Sequence, residues 1–263
     1  MSPGENQMRS TPIKEWHDRE GRVLRLRLAR PKANIVDAAV IRTLRKALAH
    51  NREDQRLKAV LLDHEGPHFS FGASIQEHMP DEISSMLRAL HALLGDLLDY
   101  PVLVLAAVRG QCLGGGLELA SACGLIFVAP DAQLGQPEIR IGVFAPAASC
   151  ILPERVGQSV AENILLSGRS LGAEEARALG LVTQIASDPE AAALDWIDRN
   201  LLPKSAVSLR FALQAARRPF AQRVKERFVE VERLCLDGLM TTHDATEGLV
   251  AFVEKRQPNW EDR

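Results

Sequence analysis

The chain has 263 residues, 46% hydrophobic and 25% charged, with a net charge of −2. That length can bury a sizeable core in one large domain or a domain with an appendage. So balanced a charge exerts no global pull toward nucleic acid or an anionic membrane.

Residues 1–11 are polar, carry Pro and Gly, and lack the apolar run of a secretory signal. "RVLRLRLAR" follows, with Leu24, Leu26 and Leu28 on one face and Arg25 and Arg27 on the other, the pattern of a half-buried strand with a solvated arginine face. After the loop "RPKAN", Asp37 stands as the N-cap of a helix through "AAVIRTLRKALAHN". "LKAVLLDHEG" reads as a buried strand. Asp81 is placed to cap a long amphipathic helix that ends near Tyr100, before Pro101. "PVLVLAAV" is another buried strand, and its apolar run, residues 102–108, is far shorter than a membrane span. "GLIFVAP" is a strand after the next helix. The first half thus alternates strand and helix, the signature of a layered α/β fold. From Pro153 onward the chain reads almost wholly helical. It includes a short helix "GAEEARALGLV" with Gly180 at its end and a tail of "PKSAVSLRFALQAARR", "AQRVKERFVEVERLCLDGLM" and "HDATEGLVAFVEKR".

The stretch "RGQCLGGGLELASACG" joins a buried strand to a helix through Gly114, Gly115 and Gly116. Glycine there permits positive φ and close approach of a ligand to the backbone. The first helical N–H groups have no intrahelical partner and lie at the positive end of the helix dipole. Such a turn suits an anion, or an oxygen that becomes anionic during a reaction; a tight packing turn explains it as well. The spacing is not a Gly-x-Gly-x-x-Gly dinucleotide fingerprint.

Two further stretches bear on the choice: "HFSFGASIQEH" and "LGQPEIRIG", the second carrying Glu138. Together, "FSFGASI", "GGGLEL", "QPE" and the terminal "EGLVAFVEKRQPNW" resemble the crotonase (enoyl-CoA hydratase/isomerase) family over nearly the whole chain. The resemblance implies an α/β fold, a crotonase-type spiral of ββα units, with a core at 12–200 and a helical C-terminal trimerisation region at 201–263. It implies an acyl-CoA substrate and no separate cofactor or metal. The backbone N–H groups of Ala73 and Gly115 would form an oxyanion hole, and Glu118 and Glu138 would be the catalytic carboxylates. Lys32, Ala33, Ser74, Ile75, Gln76, Pro146, Phe252 and Lys255 would contact substrate or CoA, the last two reaching a neighbouring subunit's nucleotide. The assembly would be a homohexamer, two trimers paired, in the cytoplasm, with no nucleic-acid or membrane partner.

Two carboxyls flanking one water can divide proton removal and proton delivery, so the presence of both argues for water addition rather than simple isomerisation. After Glu138 the family's glycine-rich loop is replaced by "VFAPAASC", a stiffer and bulkier wall. Ser74 stands where many members carry Asp. These variants, with "RPKANIVDA" and "THDATEGL", resemble the branch that adds water to a cyclic dienoyl-CoA in the anaerobic breakdown of aromatic acids through benzoyl-CoA. A straight-chain enoyl-CoA hydratase, a ring-opening hydrolase, and a CoA-thioester or RNA-binding module remain alternatives.

The remaining features imply less. Cys112, Cys123, Cys150 and Cys235 show no Cys-x-x-Cys spacing and read as buried free thiols in a reducing compartment. No His-Glu-x-x-His occurs, and no Gly-x-Ser-x-Gly surrounds Ser149. His64, His68 and His78 read as polar loop residues, with a catalytic role the alternative. "RRPFAQRVKER" reads as a solvated basic helix face.

Overall fold

The computed structural model describes residues 11–79 and 81–263; the polar segment 1–10 and Pro80 lie outside the described residues. β1 (Ile13–Asp18) and β2 (Val23–Leu28) form an antiparallel pair. β2 then pairs in parallel with β3 (Ala59–His64), and β3 with β4 (Leu103–Val108). β4 continues to β6 (Leu125–Val128), and β6 to β9 (Gln184–Ile185). The strand order is β1-β2-β3-β4-β6-β9. Parallel strands need crossover connections, and helices supply them. α1 (Ala38–Asn51) begins at Asp37, whose carboxylate accepts the Val40 N–H. α2 (Ile83–Leu98) ends before Pro101.

One sheet face, with Leu24, Leu26, Val60 and Leu62, packs on Val40, Leu44, Leu90 and Leu94 of these helices. The opposite face, with Val23, Leu61, Leu105 and Phe127, is covered by Ala193 and Ile197 of α7 (Pro189–Asn200). The solvated arginine face expected of β2 is therefore absent. Arg25 is 3% exposed and pairs with Asp63, itself 2% exposed, and with Glu190 of α7. Arg27 joins the same carboxylates, and Trp16 lies 4.9 and 5.0 Å from the two guanidinium carbons. Alternation marked two distinct faces correctly; α7, distant in sequence, buried the polar one.

Asp81 does not cap α2. The Met79 carbonyl accepts the N–H groups of Glu82 and Ile83 from a preceding turn, so no side-chain cap is used. The tail forms one long helix, α8 (Ala206–Arg233), that runs through Pro219. Ala221, Val224, Phe228 and Val231 bury its second half in the main core against α2 and α4 (Pro146–Val156), which offsets the hydrogen bond a proline forfeits. The basic stretch on α8 is the solvated face expected, laced by surface pairs: Arg223, 55% exposed, with Glu154, and Lys225, 40% exposed, with Asp99, while Arg227 donates to the Ser149 carbonyl. A wide turn (Leu234–Gly238) leads to α9 (His243–Glu254).

A second, small sheet places the site. β5 (Gln111–Leu113), β7 (Gln133–Gly135) and β8 (Ser170–Gly172) lie in that order. Cys112 pairs with Leu134 on one side and bridges Ser70 on the other. Three loops remote in sequence thus leave adjacent tracks at one edge. These short strands escaped the sequence reading because three residues show no period.

Candidate active site

The first loop leaves the Ser70 track. Gly72 has φ +110°, its N–H held by Ser70 Oγ at 3.0 Å and its carbonyl accepting the Val36 N–H. Ala73 follows. The second loop leaves β5: Gly114 has φ +49°, its N–H donates to the Gly135 carbonyl, and α3 (Gly115–Ala122) begins at the next residue. A Cβ added to Gly115 would stand 3.1 Å from the Ala73 nitrogen, so the two backbones meet without room for a side chain between them. Neither the Ala73 nor the Gly115 N–H donates to a backbone carbonyl outside the regular elements among the described residues. Two such donors side by side, one at a helix N-terminus, are what a developing oxyanion requires.

Glu118 projects from the first turn of α3 and is 4% exposed. The Ala148 N–H, near the start of α4, donates to its Oε1 at 2.8 Å, and the Ala147 N–H also favours the carboxylate. Burial nevertheless holds its pKa above the ordinary carboxylate range. Glu138 opens a short turn (Glu138–Ile141) that Gly142 closes in the left-handed region at φ +73°. Burial and the nearby Glu118 raise its pKa too. Gln136 is 1% exposed; with its amide nitrogen facing Glu138, it stands 3.1 Å from both carboxylate oxygens.

Both carboxylates face one cavity of ≈ 710 Å³, within the usual size range for small-molecule sites. Met86, Leu87 and Leu90 of α2, with Ile75, Val143 and Phe144, give it apolar walls. Of the residues expected there, Ala73, Gly115, Glu118, Glu138, Ser74, Ile75, Gln76, Pro146, Phe252 and Lys255 all line it. Phe252 and Lys255 belong to the rim of this chain's own cavity. Lys32 and Ala33 are not among its lining. The Ala33 carbonyl instead accepts the Phe71 N–H and anchors the first loop, and Ile35 lines the cavity from that segment.

The histidines separate. His64 Nε2 accepts the Arg109 N–H at 3.1 Å and His68 Nδ1 the Gln111 N–H at 3.2 Å, both structural duties. His78 lines the cavity, with Nδ1 2.6 Å from the Ser74 carbonyl, and burial lowers its pKa. Ser149 Oγ donates to the Ala145 carbonyl, and all four cysteines are free and buried. Gln136 and the α2 leucines escaped the sequence reading. The spacing of two between Gln136 and Glu138 was a usable signal; the leucines looked like any helix core.

The enoyl-CoA hydratase/isomerase family model matches residues 18–263. The chain belongs to that family. It is 59% identical over 254 residues to cyclohexa-1,5-dienecarbonyl-CoA hydratase of Thauera aromatica, covering 97% of this chain and 98% of that one. It is 30% identical to the human mitochondrial methylglutaconyl-CoA hydratase, over 86% of this chain and 70% of the relative. The crystal structure of an enoyl-CoA hydratase from Mycobacterium avium superposes with a TM-score of 0.85 at 26% identity, covering 95% of this chain and 98% of that one. The spiral α/β core and helical C-terminal region are those of the family's solved structures, and the protein is an acyl-CoA hydratase. No helix among the described residues is long and apolar enough to cross a membrane, and no cluster of His, Cys, Asp and Glu there could hold a metal ion.

Proposed function

We propose that the protein adds water to cyclohexa-1,5-diene-1-carbonyl-CoA, giving 6-hydroxycyclohex-1-ene-1-carbonyl-CoA. What carries this reading is the 59% identity, over nearly both full lengths, to a protein of that activity. The thioester oxygen sits between the Ala73 and Gly115 N–H groups. Glu118 takes a proton from water as the hydroxyl adds to the ring carbon β to the thioester. The electron pair passes through the ring to the thioester oxygen, whose developing charge the two N–H groups hold. Glu138 then delivers its proton to the far carbon of the diene, a 1,4-addition.

The roles follow from the surroundings. Glu118 accepts N–H bonds at the start of α4, which favour its ionised form. Glu138 lies in a dry site beside that charge, which favours its protonated form. Lys255 and Phe252 would meet the CoA moiety at the rim, the lysine as a mobile cation for phosphate. No cofactor beyond the CoA of the substrate is required. The region 201–263 would form oligomer contacts in a cytoplasmic homohexamer, and the exposed apolar side chains of Val207 and Phe211 on α8 suit that use.

An ultraviolet assay tests the reading. The cyclic dienoyl-CoA should turn over with a higher kcat/KM than crotonyl-CoA. Preference for crotonyl-CoA would make the protein a straight-chain hydratase, and thioester binding without turnover would make it a binding module.

A further inference from the structure

Residues 256–263 fold back over α9 and reach the turn that carries Glu138. The Asp244 carboxylate accepts the N–H groups of Glu261 and Asp262, each at 2.8 Å, and Glu247 accepts that of Asn259 at 2.7 Å. Glu247 also holds the Arg256 guanidinium through both oxygens, at 2.5 and 2.8 Å. This lacing brings the half-exposed Trp260 into a crevice between two glycines. A Cβ on Gly142 would stand 3.0 and 3.1 Å from Trp260 Cζ3 and Cη2, and one on Gly248 would stand 2.9 Å from Cη2 and overlap the Ile141 carbonyl. Only glycines let the α9 backbone, the indole edge and the Glu138 turn meet. Gly142 is itself bonded to Glu138: its N–H reaches the Glu138 and Ile139 carbonyls.

We infer that Trp260 is a positioning residue for Glu138, and that 256–263 act as a strap locking the Glu138 turn to α9. The turn needs one. It has no side-chain cap, and two members, Ile139 and Arg140, are exposed. Glu118, by contrast, rides on a buried helix. The same α9 brings Phe252, Val253 and Lys255 to the rim, so the strap ties the acid's placement to the wall that meets the thioester tail. Misplacement of a catalytic group by about 1 Å costs up to ~10²-fold in rate. The strap's role in turnover rests on the hydratase reading above; its mechanical role does not.

Trp260→Ala and, separately, the double variant Asp244→Ala/Glu247→Ala test this; the second removes the acceptors that hold the strap without emptying the crevice. In both, kcat should fall about tenfold, with KM changing less than about twofold, and Trp260→Phe should restore most of kcat. The alkaline limb of the kcat profile should move to lower pH, because a loosened turn lets water reach Glu138. The charged or titratable groups that line the cavity with it are Glu118 from α3, Arg140 on its own turn, Lys255 at the end of α9 and His78, and α9 adds Asp244 beside the turn; Trp260→Ala alters none of them, so the pH limb is read on that variant. Amide hydrogen exchange should quicken at 139–143 and stay unchanged in α1. Wild-type kcat and exchange in both variants, with the pH limb of Trp260→Ala unmoved, would overturn the inference. Should Trp260→Ala fail to fold, the double variant decides alone. If the cyclic dienoyl-CoA is not a substrate, the kinetics are run on crotonyl-CoA. Exchange needs no substrate, so failure of the hydratase reading remains distinguishable.

Discussion

Glu118 leaves the first turn of a buried helix and accepts backbone N–H groups of a second helix, whereas Glu138 sits on a four-residue turn held by one glutamine and an outer strap. The first seat is made of regular elements whose backbone cannot adjust without opening the core. The second is made of loop contacts. Desolvation raises both pKa values. What divides the pair is their neighbours: backbone N–H groups at the start of α4 donate to Glu118, whereas Glu138 meets the Gln136 amide and the repelling charge of Glu118. In the proposed mechanism that difference is what assigns the proton to Glu138 and the charge to Glu118.

Neutralising each seat in turn is the strongest way to break that comparison. Glu118→Gln and Glu138→Gln should each lower kcat by at least ~10²-fold, the low end for loss of general acid–base catalysis, with substrate affinity much less affected because the thioester contacts are backbone. Isothermal titration with a non-reactive thioester and steady-state rates would check both halves. Near-normal turnover in either variant would remove the two-carboxylate mechanism.

The looser seat is the easier to displace. A Cβ on Gly114 would lie 2.5 Å from Glu138 Oε1, on a backbone already at φ +49°. Gly114→Ala should therefore cost up to ~10²-fold in kcat by pushing the acid aside. Should turnover stay intact, Glu138 has room that the geometry denies it.

The pH profile separates the two seats without mutation. Glu118 must be ionised to take a proton, and its raised pKa moves the acid limb of kcat above the ordinary carboxylate range. Glu138 must be protonated to deliver one, so kcat falls again as pH rises through its raised pKa. A bell results, each limb changing about tenfold per pH unit, with apparent values that belong to the pair. A profile flat down to the ordinary carboxylate range would contradict the dry seats. The smallest effect belongs to the rim. Lys255→Glu should raise KM for the CoA substrate roughly 2–5-fold at unchanged kcat, the worth of an exposed ionic contact of up to ~1 kcal/mol.

Much of this was legible in the linear chain, and for a local reason. A strand followed by three glycines and an apolar run of helix formers announces its own turn, and the position of Glu118 one turn inside α3 follows from counting. Asp37 capped α1 as expected because a cap spans only three residues. Resemblance to the family rested on four short motifs in order. Readings failed where a partner distant in sequence decided the outcome. Arg25 and Arg27 looked solvated until α7 closed over them; Asp81 failed for a local reason, a turn that puts the Met79 carbonyl at the start of α2.

The chain by itself therefore determined which residues could do the chemistry: two glutamates, two small-residue turns and a stiffened loop. Only the tertiary structure decided how they differ. The small sheet set Ser70, Cys112 and Leu134 on neighbouring tracks, and that alone brought together loops some 40 and 20 residues apart. The start of α4, thirty residues on from Glu118, supplied the N–H groups that favour its charge. Trp260, more than a hundred residues beyond Glu138, closed over its turn. Desolvation and dipole direction depend on what surrounds a carboxyl in space, and sequence spacing carries that information only within an element.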